Sequence, residues 1–304
     1  MQPADPTALG EGWLWLDLLC PTSAEEDAVE AVLGLDLPTA EDMRDIELSN
    51  RLYREDGATF LTVNALYKST SDDPDTVPVT LVLKGQQLIT VRYHDPSSVQ
   101  QVIGSLTKIQ AKTGADILLA LFETMVARSA DALERAGDDI KVVRRSIFNA
   151  RTRSAKAPVT HAVLQHAITR VGQVENLISK VRDSLVSLGR AAGFCGGIAD
   201  AERLRTLTLD IQALNDQAVY MQSEATFVLD AALGLITVQQ NAIVKIFSVA
   251  AVVFLPPTLV ASIYGMNFTH MPELAQPWGY PMALVAMVAS AVLPFLYFKH
   301  KGWL

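Results

Sequence analysis

A chain of 304 residues that is 50% hydrophobic and 19% charged, with a mean hydropathy of +0.23, is more apolar than an ordinary soluble protein. Its length sets an expectation of about two domains. A net charge of −8 without a basic stripe excludes nucleic acid as the main partner. The two cysteines, Cys20 and Cys195, lie far apart and form no CxxC, which excludes a disulfide framework or a cysteine zinc site; they read as reduced thiols.

The chain opens "MQPADPTALGEGWLWLDLLC", with no basic n-region and an apolar run interrupted by Asp17, so no secretory signal is expected. Residues 1–112 alternate strand and helix signals and are expected to form an α/β domain. "WLWLDL" (Trp13 to Leu18), "FLTVNALY" (Phe60 to Tyr67), "VTLVLK" (Val79 to Lys84) and "QLITVRY" (Gln87 to Tyr93) read as strands. A hairpin turn at Gly85 joins the last two. "SAEEDAVEAVLG" and "TAEDMRDIELS" read as helices, each opening on Ser or Thr with an acid three residues on. Helices follow from Gly114 to Ala150 and from Val159 to Gly189, separated by a basic loop containing Pro158. "AAGFCGGIAD" is a second break.

From about Asp200 no convincing break occurs before Tyr264. Leu204, Leu207, Ile211, Leu214, Ala218, Met221, Ala225, Val228, Ala232 and Leu235 alternate at steps of three and four, the pattern of a packed helical seam. The helix is expected to be about 65 residues and roughly 95 Å long. A second stripe runs through Thr206, Ala213, Asp216, Tyr220, Ser223, Phe227, Asp230, Gly234 and Thr237 to Asn241, offset from the seam. Residues 113–240 therefore read as a helical hairpin with a stalk, and 241–304 as a membrane domain.

Two apolar runs close the chain. Ile243 to Tyr264, roughly 22 residues and about 33 Å as a helix, matches the hydrocarbon core of a bilayer. Tyr280 to Phe298 carries no charge and is flanked by Trp278, Tyr280, Tyr297 and Trp303, as interfacial aromatics would be. Two buried core helices of a soluble protein is the competing reading; length, aromatic flanks and the basic stop "KHK" (Lys299 to Lys301) oppose it. The basic residues place the tail, 299–304, in the cytoplasm. Two spans return the chain to its starting side, so the N-terminal part is cytoplasmic and the loop 265–279 faces outward.

The first span is unlike a plain anchor. Asn241, Val244, Ser248, Leu255, Thr258 and Ser262 fall near one face, and Pro256–Pro257 removes two backbone donors. A polar face at membrane depth implies a helix contact or a water-filled path. Lys245, with Lys299 and Lys301, is expected to form a basic ring near the inner mouth. Enzyme signals are weak: "GFCGG" lacks the GK[ST] of a phosphate loop, and neither HExxH nor GxSxG occurs.

The loop "YGMNFTHMPEL" carries the most specific pattern. Tyr264, Gly265, Met266 and Asn267, followed by "MPEL", "WGYP" and the basic tail, resemble the signature of the CorA-type divalent-cation transport family. "IVKIFSVAAVVFLPPTLVAS" extends the resemblance through the first span, and less sharply it covers most of the chain. The resemblance implies an α+β cytoplasmic domain with a long helical stalk and two C-terminal transmembrane helices, assembled as a funnel-shaped homopentamer. The first span would line the pore. The family moves Mg2+, often Co2+ or Ni2+, passively across the bacterial inner membrane, and cytoplasmic divalent ions close the pore.

Residue chemistry agrees. Gly265 could end the helix in a left-handed cap. Asn267 would then offer an amide oxygen to the hydration shell of Mg2+, which sheds water reluctantly. No resident cofactor is expected beyond transported and regulatory Mg2+, with Co2+, Ni2+ and Zn2+ as further candidates. Ungapped counting from the signature places a sensor acid of one family branch at Thr206, which is not acidic. Asp210, Asp216 and Asp230 are the candidate sensors here. His270 and Glu273, in a loop where Thr269 and His270 replace commoner acids or aromatics, are candidate outer metal contacts. A zinc transporter of the same fold, with or without proton coupling, and a membrane-anchored sensor without flux are the competing functions.

Overall fold

The computed structural model describes residues 12–45, 51–108, 110–148, 161–267 and 270–302. The expectations for residues 1–11, the end of the second helix, the Pro158 loop, Phe268, Thr269 and Trp303 lie outside these. The chain divides into two compact units, Met1–Asp230 and Ala231–Leu304.

The first unit is built on five strands: β1 (Trp15–Leu19), β2 (Leu52–Glu55), β3 (Ala58–Tyr67), β4 (Asp75–Lys84) and β5 (Gln87–Arg92), in the order β1-β5-β4-β3-β2. β1 runs parallel to β5 and every other pairing is antiparallel. The central strands are buried on both faces, so they read as apolar runs instead of a clean alternation. β4 starts at Asp75, four residues before the expected Val79, because Pro78 is tolerated within it. Pro78 pairs only with Asn64 of β3, beyond the end of β5, where a missing N–H costs no ladder bond on that side.

β2 was not expected. Its signal is the Asp56–Gly57 turn, where both residues have positive φ (46° and 75°), the geometry of a tight hairpin linking β2 to β3. β1 is shifted from the expected Trp13–Leu18 to Trp15–Leu19. Its Asp17 receives Arg92 through Nε at 3.0 Å and Nη2 at 2.8 Å. The same guanidinium bonds Asp95 and the His94 carbonyl, and its side chain is 3% exposed.

Helices α1 (Ser23–Leu33) and α2 (Ala40–Asp45) follow β1. Thr22 and Glu25 form the capping box of α1, one residue before the expected start, and Gly34 ends the helix at φ 62°. Val29, Leu35, Leu37 and Met43 join Phe60, Val82, Ile89 and Val91 in one core. A short unexpected helix, α3 (Ser97–Ser105), precedes α4 (Gly114–Phe148).

Gly114 is fixed by close approach. Its N–H donates to the Gln86 carbonyl at 2.7 Å, and a Cβ there would stand 2.6 Å from the backbone nitrogen of Leu88. Thr113 and Asp116 exchange bonds over the same turn, and backbone N–H donors, that of Lys112 foremost, hold the Asp116 carboxyl below the ordinary range. Gly114→Ala is expected to destabilise the first unit by about 1–3 kcal/mol through backbone overpacking, read as a lowered midpoint of thermal unfolding.

α5 (His161–Phe194) runs five residues beyond the expected stop at Gly189. That glycine does not break the helix; it admits the Ile211 methyl to 3.4 Å of where its Cβ would be. α6 (Ala201–Tyr264) is one 64-residue helix, as the unbroken periodicity required. Along its seam Leu207, Ile211, Ala218, Met221, Ala225, Val228 and Ala232 are buried. The Met221 methyl meets α4 at Gly137. Arg203–Glu123 and Arg144–Glu224 ion pairs add rim contacts between α4 and α6. The stripe from Thr206 to Asn241 is exposed throughout.

The second unit holds the end of α6, a 3-10 turn at Pro272–Ala275, and α7 (Gly279–His300). An 18-residue apolar window of α6 is 0% buried, and that of α7 is 6% buried. Such surfaces are unlike the core helices of a soluble protein and suit lipid or further copies of the chain.

Candidate ion-conduction site

The end of α6 supplies the candidate path. At 100° per residue, Asn241, Val244, Ser248, Leu255, Thr258 and Ser262 fall within about 100° of one another. All six are exposed. The half-buried positions, Val249, Ala250, Val252, Val253, Pro256, Pro257 and Val260, centre on a face roughly 150° away. α7 likewise has one half-buried face, through Ala283, Met287, Ser290, Ala291 and Pro294. The polar positions of the first span are thus among those its own chain leaves uncovered.

Two hydroxyls on that face are held. Ser248 Oγ donates to the Val244 carbonyl at 2.8 Å, and Thr258 Oγ1 to that of Phe254 at 2.7 Å. Each spends its proton on the backbone one turn back and keeps oxygen lone pairs to offer. Pro256 and Pro257 lie inside the continuous helix, and Thr258 bonds beside the carbonyls they leave without an N–H partner. Leu255, between Ser248 and Thr258, is with Val244 an apolar position in an otherwise polar line. Lys245, Lys299 and Lys301 are exposed.

At the mouth the geometry corrects the expectation for Gly265. Its φ is not positive, so it is no left-handed cap. The Gly265 N–H still bonds the Ala261 carbonyl at 2.9 Å, and the Met266 N–H bonds Ile263 at 3.2 Å. The helix therefore tightens by one 3-10 step before leaving, and a Cβ on Gly265 would crowd the Ala261 carbonyl at 3.0 Å. Asn267 follows, exposed and outside any regular element.

Gly279, the glycine of "WGYP", closes the loop. A Cβ there would stand 2.2 Å from the Glu273 carbonyl oxygen, so the 3-10 turn lies directly on the first residue of α7. Glu273 and His270 are exposed within that loop. Gly279→Ala must push the turn away. It is expected to reduce ion entry severalfold while leaving the unfolding midpoint of the first unit unchanged; measuring both in one preparation checks this.

The sensor candidates Asp210, Asp216 and Asp230 are exposed along α6. They do not gather: among the described residues no group of three or more His, Cys, Asp or Glu side chains could hold a metal ion. Asp210 faces an open groove of about 820 Å³ between α4 and α6, beside Glu123, Arg203 and Thr206.

A large α/β and helical unit whose last helix becomes an apolar, polar-striped segment, followed by a glycine-marked loop and a second apolar helix, defines a two-span membrane protein of the transporter class. Residues 10–300 match the family described as "CorA-like Mg2+ transporter protein", and the chain belongs to that family. It is 33% identical over 298 residues to the "Magnesium transport protein CorA" of Haemophilus influenzae (strain Rd), covering 96% of this chain and 92% of that protein. The protein of the same name in Escherichia coli K12 is 32% identical, at the same coverage. Among solved structures, "The complete structure of CorA magnesium transporter from Methanocaldococcus jannaschii" superposes with a TM-score of 0.76 over 99% of this chain and 95% of that one. At 17% sequence identity that likeness speaks to the fold. Family and apolar helices together make this a multi-pass protein of the inner membrane.

Proposed function

We propose that this chain carries Mg2+ passively, driven by the membrane potential, through an axial pore lined by the first span of a homopentamer. One observation carries the pore: the face bearing Asn241, Ser248, Thr258 and Ser262 is uncovered and turned away from the half-buried face of the same helix. Two spans cannot enclose a path, so the uncovered polar face needs copies of itself around a closed axis. A potential of 100 mV contributes about 2.3 kcal/mol per charge, hence about 4.6 kcal/mol for a divalent ion, which is drive enough without nucleotide hydrolysis.

In this reading the head (residues 1–112) and the helices through residue 240 are cytoplasmic, both termini face that side, and 265–279 is the outer loop. Gly265, Met266 and Asn267 form the entrance and select hydrated Mg2+ first. Leu255, with Val244, narrows the path. Lys245, Lys299 and Lys301 ring the inner mouth. Co2+ and Ni2+ share the path, with His270 and Glu273 as outer contacts.

Potential-driven uptake by purified protein in liposomes, read with magnesium- and zinc-sensitive dyes alongside the mass of the assembly, tests the proposal. Magnesium entry through a fivefold assembly upholds it. Zinc entry that follows a proton gradient, without magnesium, identifies a zinc transporter of the same fold. No flux of either ion, in folded pentamers, leaves a sensor.

Gating follows from the same arrangement. Asp210, Asp216 and Asp230 do not converge within one chain, so a regulatory ion would need carboxylates from neighbouring copies. Alanine at all three is expected to abolish closure by internal Mg2+; closure at the wild-type concentration would remove these acids from the mechanism.

A further inference from the structure

A pocket of about 500 Å³ opens in the first unit between β3 and α5. Its walls include Arg51, Arg182 and Arg190, with Asp183 as the one carboxylate among the described residues, beside Asn64 and Ser187. Arg182 and Arg190 stand two helical turns apart on α5 and so share a face. Ser187 is fixed: the Asn64 N–H donates to Ser187 Oγ at 2.9 Å, and Ser187 Oγ donates to the Ser184 carbonyl at 2.9 Å.

Two of the three guanidinium groups are oriented before any ligand arrives. Arg51 Nη1 donates to Asn64 Oδ1 at 3.0 Å, and Arg182 Nη1 donates to Gln222 Oε1 of α6 at 2.7 Å. Elsewhere in this unit Arg92, Arg144, Arg170 and Arg203 each pair with a carboxylate. Among the described residues, neither Arg182 nor Arg190 forms an ion pair. The Nε–H of Arg182 is buried with no acceptor. A buried charged donor without a partner costs free energy that a ligand acceptor would recover.

We infer that this pocket binds a phosphate-type anion, either inorganic phosphate or the phosphate of a nucleotide. Guanidinium forks match tetrahedral oxyanions through paired N–H donors, which a lone lysine could not do. Among the described lining residues three arginines stand against a single carboxylate, Asp183, within a chain of net charge −8. The volume admits a nucleoside monophosphate. Because Arg182 also holds Gln222, an anion drawing on that guanidinium bears directly on α6.

The test is calorimetric titration of the full chain in detergent, metal-free and at constant ionic strength, with inorganic phosphate and with AMP. Saturable binding is expected, weakened about tenfold or more in Arg190→Gln and in Arg182→Gln, since a charge-assisted bond contributes about 1.5–3 kcal/mol. Arg145→Gln, an exposed arginine on α4, is expected to bind as wild type. Tighter binding of AMP than of phosphate assigns the site to a nucleotide; equal binding assigns it to the free ion. No saturable heat for either probe into the millimolar range overturns the inference. So does wild-type affinity in Arg190→Gln, whose exposed position keeps the variant folded.

Discussion

Asn267→Ala is expected to cut potential-driven Mg2+ entry into liposomes by at least about tenfold, equivalent to roughly 1.4 kcal/mol or more on the rate-limiting step. The argument starts at the helix end. Gly265 and Met266 hold their amides on Ala261 and Ile263, so the last turn of α6 is tight and Asn267 follows it directly. An amide oxygen is neutral and accepts from coordinated water. Repeated around a fivefold axis, it would orient a hydrated Mg2+ without stripping its shell, which the ion resists. Conduction also needs release, and a carboxylate ring would hold the ion longer. Asn267→Asp is therefore expected to admit Mg2+ yet slow its passage, whereas alanine removes capture altogether. Unchanged magnesium entry in Asn267→Ala, with the assembly intact, would disconnect this loop from selection.

Parts of this structure could be read locally and parts could not. The packed seam of α6 was legible from Leu204 to Leu235 because a helix repeats every 3.6 residues and burial repeats with it. The two spans were legible for the same reason, as length and composition alone mark them. The β2–β3 hairpin was readable in principle, since Asp56–Gly57 suits two successive positive φ values, but a four-residue edge strand carries little periodicity. Glycine was the harder case. Gly189, Gly265 and Gly279 look alike in sequence, yet one admits a neighbouring methyl, one relieves a helix carbonyl and one lies on the Glu273 backbone. Only coordinates say which neighbour forbids a side chain. The arginine pocket was illegible because Arg51 and Arg190 meet only after the sheet and α5 have packed.

Asp17→Ala should produce the largest loss of stability of any substitution considered. Arg92 is 3% exposed, and Asp17 takes two of its nitrogens at 2.8 and 3.0 Å while tying β1 to β5. Removing the carboxylate leaves a desolvated guanidinium with only Asp95 and a backbone carbonyl as acceptors. Breaking a buried pair from one side typically costs about 3–5 kcal/mol. For a unit of this size that corresponds to a fall of roughly 6–20 °C in the unfolding midpoint. The pair itself contributes less than that figure, because both charges were dehydrated to form it. The double variant Asp17→Ala/Arg92→Met separates the two quantities, since it removes the stranded charge and keeps much of the side-chain volume. It should recover most of the lost stability. A double variant as unstable as Asp17→Ala alone would show that the cost lies in the β1–β5 geometry that Asp17 sets and not in the buried charge left with Asp95 alone.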